Sequence, residues 1–451
     1  MTVSTPPAPR TSKKTKSTLF EKCVFAAICT LPLQKAFTIS LGFPLKLSEI
    51  FIGLAFVVAL AGGRRLGSGI LRREQQLLVW LIVLTGLSTL FALVSQVPAG
   101  EPAGYTRSIQ VDALLYLGYS ILVLITWRSV IQLSVGRIVK AISIAVHVAA
   151  IACIFQFTLW TLGNESILKS LNFEMVFGSA YGNAIPRNGS FMEGNYLGFF
   201  GGVALLVMMR SRNFLGIISA IVCILYSQST NAILALVVAI LIGLIFKPKV
   251  RWHLQVGSIT LSILAVVAFV PATRDYLSYQ LSKLGFSGAS AASQAVGNID
   301  DSLEIRGAKI QTGLEMFLNN PILGVGPGRF GVWFDEYVDV GSFPAEYFYK
   351  AGRHIVENSY IQILAELGIF AFIVFAVFLI RIIRRVHAIN SIDFVLGIFV
   401  AFSLNTAPAW TSLTIWVALG YLGAVVARRK PPVGTRSGAL AAQESDRLAA
   451  V

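Results

Sequence analysis

Apolar positions in this chain fall in long unbroken runs, not in the alternating or half-and-half patterns of a soluble fold. Runs such as 77–93, 109–127, 233–246 and 361–380 approach the roughly 20 helical residues needed to cross a hydrocarbon core about 30 Å thick. Short polar clusters separate them. The pattern predicts an all-α, polytopic transmembrane helical bundle of about twelve spans. Their expected starts lie near residues 19, 46, 75, 109, 137, 195, 213, 231, 252, 358, 391 and 409.

The same pattern divides the chain. Residues 1–18, rich in Pro, Ser, Thr and Lys, read as a disordered cytoplasmic N-terminus, and 428–451 as a cytoplasmic tail. Residues 19–271 hold about nine spans and 357–427 about three. The run from Leu19 reads as a first membrane helix and not as a signal peptide, because no small-residue cleavage site precedes a polar domain. Two outer segments are too long and polar to be plain connectors, about 163–194 and the larger extracytoplasmic loop 272–356. The larger one is expected to be partly helical, with an amphipathic helix over 303–318 whose Leu303, Ile310, Leu314 and Phe317 share the apolar face.

Composition removes the soluble alternative. Hydrophobic residues make up 55% of the chain and charged residues 13%, with a mean hydropathy of +0.72, against about 25% charged in ordinary globular proteins. The net charge of +15 would suggest nucleic acid in a soluble chain. Here the cations cluster between spans: Arg64, Arg65, Arg72 and Arg73; Arg128, Arg137 and Lys140; Arg210 and Arg212; Lys247, Lys249 and Arg251; Arg381, Arg384 and Arg385; Arg428, Arg429 and Lys430. Positive-inside placement then puts both termini in the cytoplasm and assigns the basicity to membrane lipids, with no nucleic-acid partner. Cys23, Cys29, Cys153 and Cys223 fall inside apolar runs without metal-binding or haem spacing, and no His, Cys and carboxylate set has ligand spacing, so neither a metal nor a cofactor is expected.

Informative polar residues gather on the expected outer side. Arg187, in Arg187-Asn188-Gly189-Ser190-Phe191, offers a guanidinium fork suited to a phosphate, or else a partner for Glu193. Arg306 and Lys309 follow Asp300, Asp301 and Glu304 on the loop helix, where a surface salt-bridge network is the plain alternative. Arg353, His354 and Glu357 precede the tenth run, where a carboxylate or imidazole near a low-dielectric boundary suits proton transfer. Glu357 also suits a helix N-terminus, and Glu366, two turns inside the run, reads as an interhelical hydrogen-bond partner. His147 reads as a satisfied bundle histidine. Trp333, Phe334, Tyr337, Tyr347, Phe348 and Tyr349 could stack on sugars or form the loop's own core.

Three stretches together resemble the O-antigen ligase and O-antigen polymerase family of bacterial surface-polysaccharide membrane proteins. They are Arg187-x-Gly189-x-Phe191-x-x-x-Asn195, the Arg306 helix leading into Asn320-Pro321-Ile322-Leu323-Gly324-Val325-Gly326-Pro327-Gly328-Arg329-Phe330, and Glu357-Asn358-Ser359-Tyr360 through Glu366-Leu367-Gly368. The resemblance implies a metal-independent glycosyltransferase of the bacterial inner membrane that moves a saccharide from undecaprenyl pyrophosphate to an acceptor hydroxyl on a glycan or lipid. Arg187, Arg306 and Arg353 would hold the pyrophosphate. In the ligases a histidine usually stands where this chain has Glu357, which leaves Glu357 or His354 as the base. Ser227-Gln228-Ser229-Thr230-Asn231 stands where the family often has Ser-Arg, so one expected cation is absent there. The replaced histidine tilts the reading toward a polymerase over a ligase that loads lipid A core. A transporter or flippase is the other class, and it would call for broken helices and more charges deep in the spans than Glu366 and Glu49.

Overall fold

The computed structural model describes residues 18–36, 38–40, 44–63, 66, 69–95, 109–173, 175–178, 185–246, 297–339, 341, 354–406 and 409–428. Among them the chain is helical: α1 Leu19–Cys29, α2 Leu47–Ala61, α3 Arg72–Val94, α4 Ile109–Val130, α5 Val135–Thr161, α6 Glu165–Ser170, α7 Gly194–Ser211, α8 Phe214–Ser227, α9 Thr230–Phe246, α10 Gly297–Asn319, α11 Phe330–Tyr337, α12 Ser359–His387, α13 Ser391–Ser403 and α14 Leu413–Ala427. Two antiparallel bridges of two residues per strand, Ile39–Ser40 with Pro44–Leu45 and Phe177–Gly178 with Ile185–Pro186, tie down connecting loops. A helix begins close to each expected start except the one near 252, which lies outside the described residues, as do most of 1–18, the stretch 247–296, Arg353 and nearly all of the tail from 428.

Run length and local capping explain these elements. Thr18, Ser134, Asn213, Asn358 and Asn390 each accept a backbone N–H of the helix they precede, satisfying donors that the first turn leaves open. Four helices, Gly69–Val94, Gln110–Val130, Val135–Thr161 and Ser359–His387, combine the length and apolarity needed to cross a membrane, while five further apolar helices are shorter. Large apolar side chains such as Trp80, Leu90, Ile151, Leu241 and Phe370 stand exposed on helix flanks, as lipid-facing surface requires.

With lipid as apolar as leucine, the helices must gain their packing from close approach. The seventh helix sits at the centre and is buried along almost its whole length from Leu197 to Met208. Its glycines make that possible: a Cβ on Gly202 would lie 2.3 Å from the Phe399 ring, and one on Gly201 2.9 Å from Ile224. Ala141, Ala145 and Ala149 give α5 a similar buried small-residue face.

Carboxylates staple one end of the bundle. Glu74, fully buried in the first turn of α3, accepts Arg381 Nε at 2.8 Å and lies 3.1 Å from Arg385 Nε at the end of α12. Asp393, at the start of α13, accepts the Tyr421 hydroxyl at 3.0 Å and meets Arg210 Nε at 3.4 Å. The expected inner cations 210, 381 and 385 therefore meet acids of neighbouring helices at a common end, and Arg137 likewise pairs with Glu21.

The loop helix corrects one expectation. Its buried side is Ile305, Ala308, Thr312, Gly313 and Met316, while Leu314 is 39% exposed; the side chain of Leu303 is not described. The reason is tertiary: a Cβ on Gly313 would come 2.5 Å from Ile361, so α10 presses its smallest residues onto α12. Apolar periodicity alone pointed to the neighbouring face.

Candidate active site

The second and third signature stretches meet at the end of the bundle opposite the Glu74 staple. The Gly-rich turn after α10 docks into a break in α12. Gly368 lies inside that helix with φ +79°, and its missing Cβ admits the Ile322 carbonyl, which would stand 2.2 Å from it. Gly324, at φ +66°, in turn sits against Glu366, whose backbone would lie 2.3 Å from a Cβ there. Both positions combine a left-handed conformation with a contact that excludes any side chain. Backbone bonds lock the joint: Val325 N donates to Ala365 O, Gly326 N to Glu366 O and Ile369 N to Pro321 O. The Ser88 hydroxyl of α3 completes it at Leu323 O and Glu366 O.

Glu366 is 2% exposed, and its carboxylate accepts Phe330 N at 3.3 Å and Gln362 Nε2 at 3.2 Å. It thus caps the first turn of α11, in the structural role expected of it. Beside it lies a residue that sequence reading passed over. Arg329 is 1% exposed, donates from Nη1 to Ser95 Oγ at 3.4 Å, and has no hydrogen-bond partner for its buried Nε. Burial pulls its pKa below the usual arginine value. Its position directly after Gly-Pro-Gly, at a helix start, was the available signal.

The cation cluster forms where α10 crosses the mouth of α12. Arg306 Nε donates to Glu357 Oε2 at 2.7 Å, and Lys309 Nζ lies 3.5 Å from Glu357 Oε1. Side-chain exposure is 31% for Arg306, 12% for Lys309 and 27% for Glu357, so the group is sheltered yet reachable. Asn358, not Glu357, caps the helix, accepting from Tyr360 N and Ile361 N, which releases the Glu357 carboxylate for the cations. Arg306 and Lys309 therefore both turn toward Glu357 at the mouth of α12. His354 stacks on the buried Phe334 ring at 4.1 Å. Burial first, then the Lys309 charge, hold the imidazole pKa below its usual value, with Asp335 opposing. At neutral pH the ring is uncharged and able to accept a proton. Phe334 belongs to the loop core, while Trp333 and Tyr337 stay partly open.

Arg187 enters the same end of the bundle from another side. Its aliphatic stem lies 3.1 Å from where a Gly194 Cβ would stand, at the start of α7. Gln156 of α5 fixes the loop that carries it: Gln156 Nε2 donates to Asn188 Oδ1 at 3.1 Å, and its Oε1 accepts Gly189 N at 2.7 Å. One turn into α7, the Tyr196 phenol lies within electrostatic reach of both Glu193 and Glu357. Arg353 lies outside the described residues, as do Tyr347, Phe348 and Tyr349.

His147 and Glu49 sit in structural contacts. His147 Nδ1 is 2.8 Å from Ser219 Oγ inside the bundle. Glu49 accepts Lys46 N in a helix-capping arrangement. Among the described residues no group of His, Cys, Asp and Glu has metal-binding geometry.

This helical membrane architecture, with a polar cluster built from a loop helix and a broken helix, defines a class in which a sheltered cationic site sits at a bundle end. Residues 215–376 match the protein family described as O-Antigen ligase. The match covers a minority of the chain and takes in the Arg306 and Glu357 stretches, so it supports the resemblance those motifs carry. A search of curated proteins returns no match.

Proposed function

We propose that the protein is a membrane glycosyltransferase that transfers an undecaprenyl-pyrophosphate-linked saccharide to an acceptor hydroxyl, in O-antigen, capsule or exopolysaccharide synthesis. The observation that carries this reading is the Arg306–Lys309–Glu357 cluster with His354 beside it, all four inside the stretch that matches the O-antigen ligase family. As the sugar C1 separates from its pyrophosphate, negative charge grows on the leaving oxygens. Preorganised cations in a sheltered site stabilise that charge more than water does. Arg306 supplies the fork and Lys309 a point charge, with Arg187 and Arg353 as further holders of the pyrophosphate.

The geometry favours His354 over Glu357 as the base. Each Glu357 oxygen already faces a cation, whereas the His354 ring is kept neutral by burial and Lys309. In this scheme the imidazole takes the proton of the acceptor hydroxyl, whose oxygen forms the new bond to C1 while the C1–O bond to pyrophosphate breaks. Glu357 is then the positioning residue that aligns Arg306 and Lys309 before substrate arrives. The break at Gly368 is a feature a transporter would share, but the Gly-rich turn fills it, which supports a fixed site over a gate.

We further favour a polymerase joining repeat units at the outer leaflet of the bacterial inner membrane. A deletion strain distinguishes the options. Single-repeat glycan on its acceptor indicates a lost polymerase, unattached long chains indicate a lost ligase, and normal length with normal attachment overturns the transferase reading.

A further inference from the structure

A second polar feature adjoins the cluster and differs from it in kind. Between the mouths of α7 and α9 and the end of α13 lies a notch of about 20 Å³, whose polar lining is Asn195, Tyr196, Ser229, Asn231, Ser403 and Thr406 and whose apolar lining is Phe199 and Ala232. It contains no charged side chain. The Ser229 hydroxyl donates to Asn195 Oδ1 at 3.0 Å and accepts Ala232 N at 3.3 Å, so these two side chains are held in place. The hydroxyl of Ser403, a residue 5% exposed, is buried with no hydrogen-bond partner. A buried hydroxyl without a partner costs about 1–3 kcal/mol, so a polar group that reaches Ser403 in the notch gains by bonding it.

Size and charge restrict the occupant. Space of this order admits one water-sized group; it is too small for a phosphate, and its lining of hydroxyls, amides and the apolar Phe199 and Ala232 offers no counter-charge for one. An isoprenoid chain would leave the Ser403 hydroxyl unsatisfied. A single uncharged hydroxyl fits, with Tyr196 alongside to face a sugar ring. The notch also lies next to the chemistry: Ser359 N, two residues past Glu357, donates to Leu404 O at 2.8 Å, one residue past Ser403.

We propose that this notch is a sugar-recognition subsite that takes one hydroxyl of the glycan, so that the site reads the saccharide separately from the pyrophosphate. The proposal rests on the transferase reading above. The test uses purified full-length protein in lipid nanodiscs with two probes: the lipid-linked glycan extracted from the host's own membranes, and bare undecaprenyl pyrophosphate. Ser403→Val fills the notch and Asn231→Ala removes a lining amide, and thermal unfolding checks that each variant folds. Both variants are expected to bind the glycan-loaded lipid about 10-fold more weakly, with affinity for the bare lipid unchanged. Equal weakening for both lipids, or no change for either, overturns the subsite and leaves the transferase reading standing. If wild-type protein binds neither lipid, the transferase reading fails. Glycan released from its carrier by mild acid then tests the notch alone: weaker binding to both variants supports it, and unchanged binding overturns it.

Discussion

Two carboxylates in this protein each hold a pair of cations, and they sit at opposite ends of the bundle. Glu74 binds Arg381 and Arg385 with no exposure of its own side chain, whereas Glu357 binds Arg306 and Lys309 with 27% exposure. Burial separates their roles. A carboxylate buried beneath two guanidinium groups cannot be exchanged for solvent or ligand without stranding charge, so the Glu74 group is a staple. A half-open carboxylate on the same kind of cations can be displaced by a stronger anion, which is the property a pyrophosphate site needs. The same pairing chemistry therefore supports the fold at one end and, in the proposed function, a reaction at the other.

The largest effect that tests this contrast is catalytic. Arg306→Ala should lower transfer by about 100- to 1000-fold with membrane insertion and thermal unfolding unchanged, measured as polymer output in membranes. Arg381→Ala should do the reverse, lowering stability while output per folded molecule persists. Next comes stability. Glu74→Ala removes the acid from two cations and should cost about 3 kcal/mol, reduced to the extent that Arg381 and Arg385 reach water, while Glu357→Gln should cost under about 1 kcal/mol. Thermal unfolding in detergent compares them directly.

A smaller effect appears in pH. Because the folded-state pKa of His354 lies below its unfolded value of about 6.5, the unfolded chain protonates first as the medium is acidified. The stability held by the neutral ring is complete above that value and declines as pH falls through it. Transfer should persist below pH 6.5 and then fall as the ring charges. His354→Gln should remove that acid limb; an unchanged profile in the variant would take the base role away from His354. Smallest of all is an ionic effect: inorganic pyrophosphate should inhibit wild-type transfer and have less effect on Lys309→Ala.

Much of this was legible before any coordinates, for identifiable reasons. Run length and capping residues are local properties, so helix starts such as Leu19, Leu47 and Ser359 follow from the sequence. Arg306, His354 and Glu357 stood out because charged groups beside apolar runs are rare. What escaped depended on distant partners. The buried face of α10 is set by Gly313 meeting Ile361, a contact between segments about fifty residues apart. Arg329 stands in the Gly-rich stretch without a role of its own in the sequence, and only the fold buries it, with Ser95 as its partner. Gly324 and Gly368 stand in separate motifs, yet each is required by the other's segment. Lys309 shows as a cation beside Arg306, but its partner Glu357 lies in a distant segment.

The central claim is that Glu357 holds Arg306 and Lys309 in trust for an anionic lipid head group. Its most direct test is the affinity of purified wild type, Glu357→Gln and Arg306→Ala for undecaprenyl pyrophosphate in nanodiscs. Tighter binding in Glu357→Gln, where the competing charge is gone, and binding weakened at least about 10-fold in Arg306→Ala are the predicted results. Equal affinity across all three proteins would contradict the account.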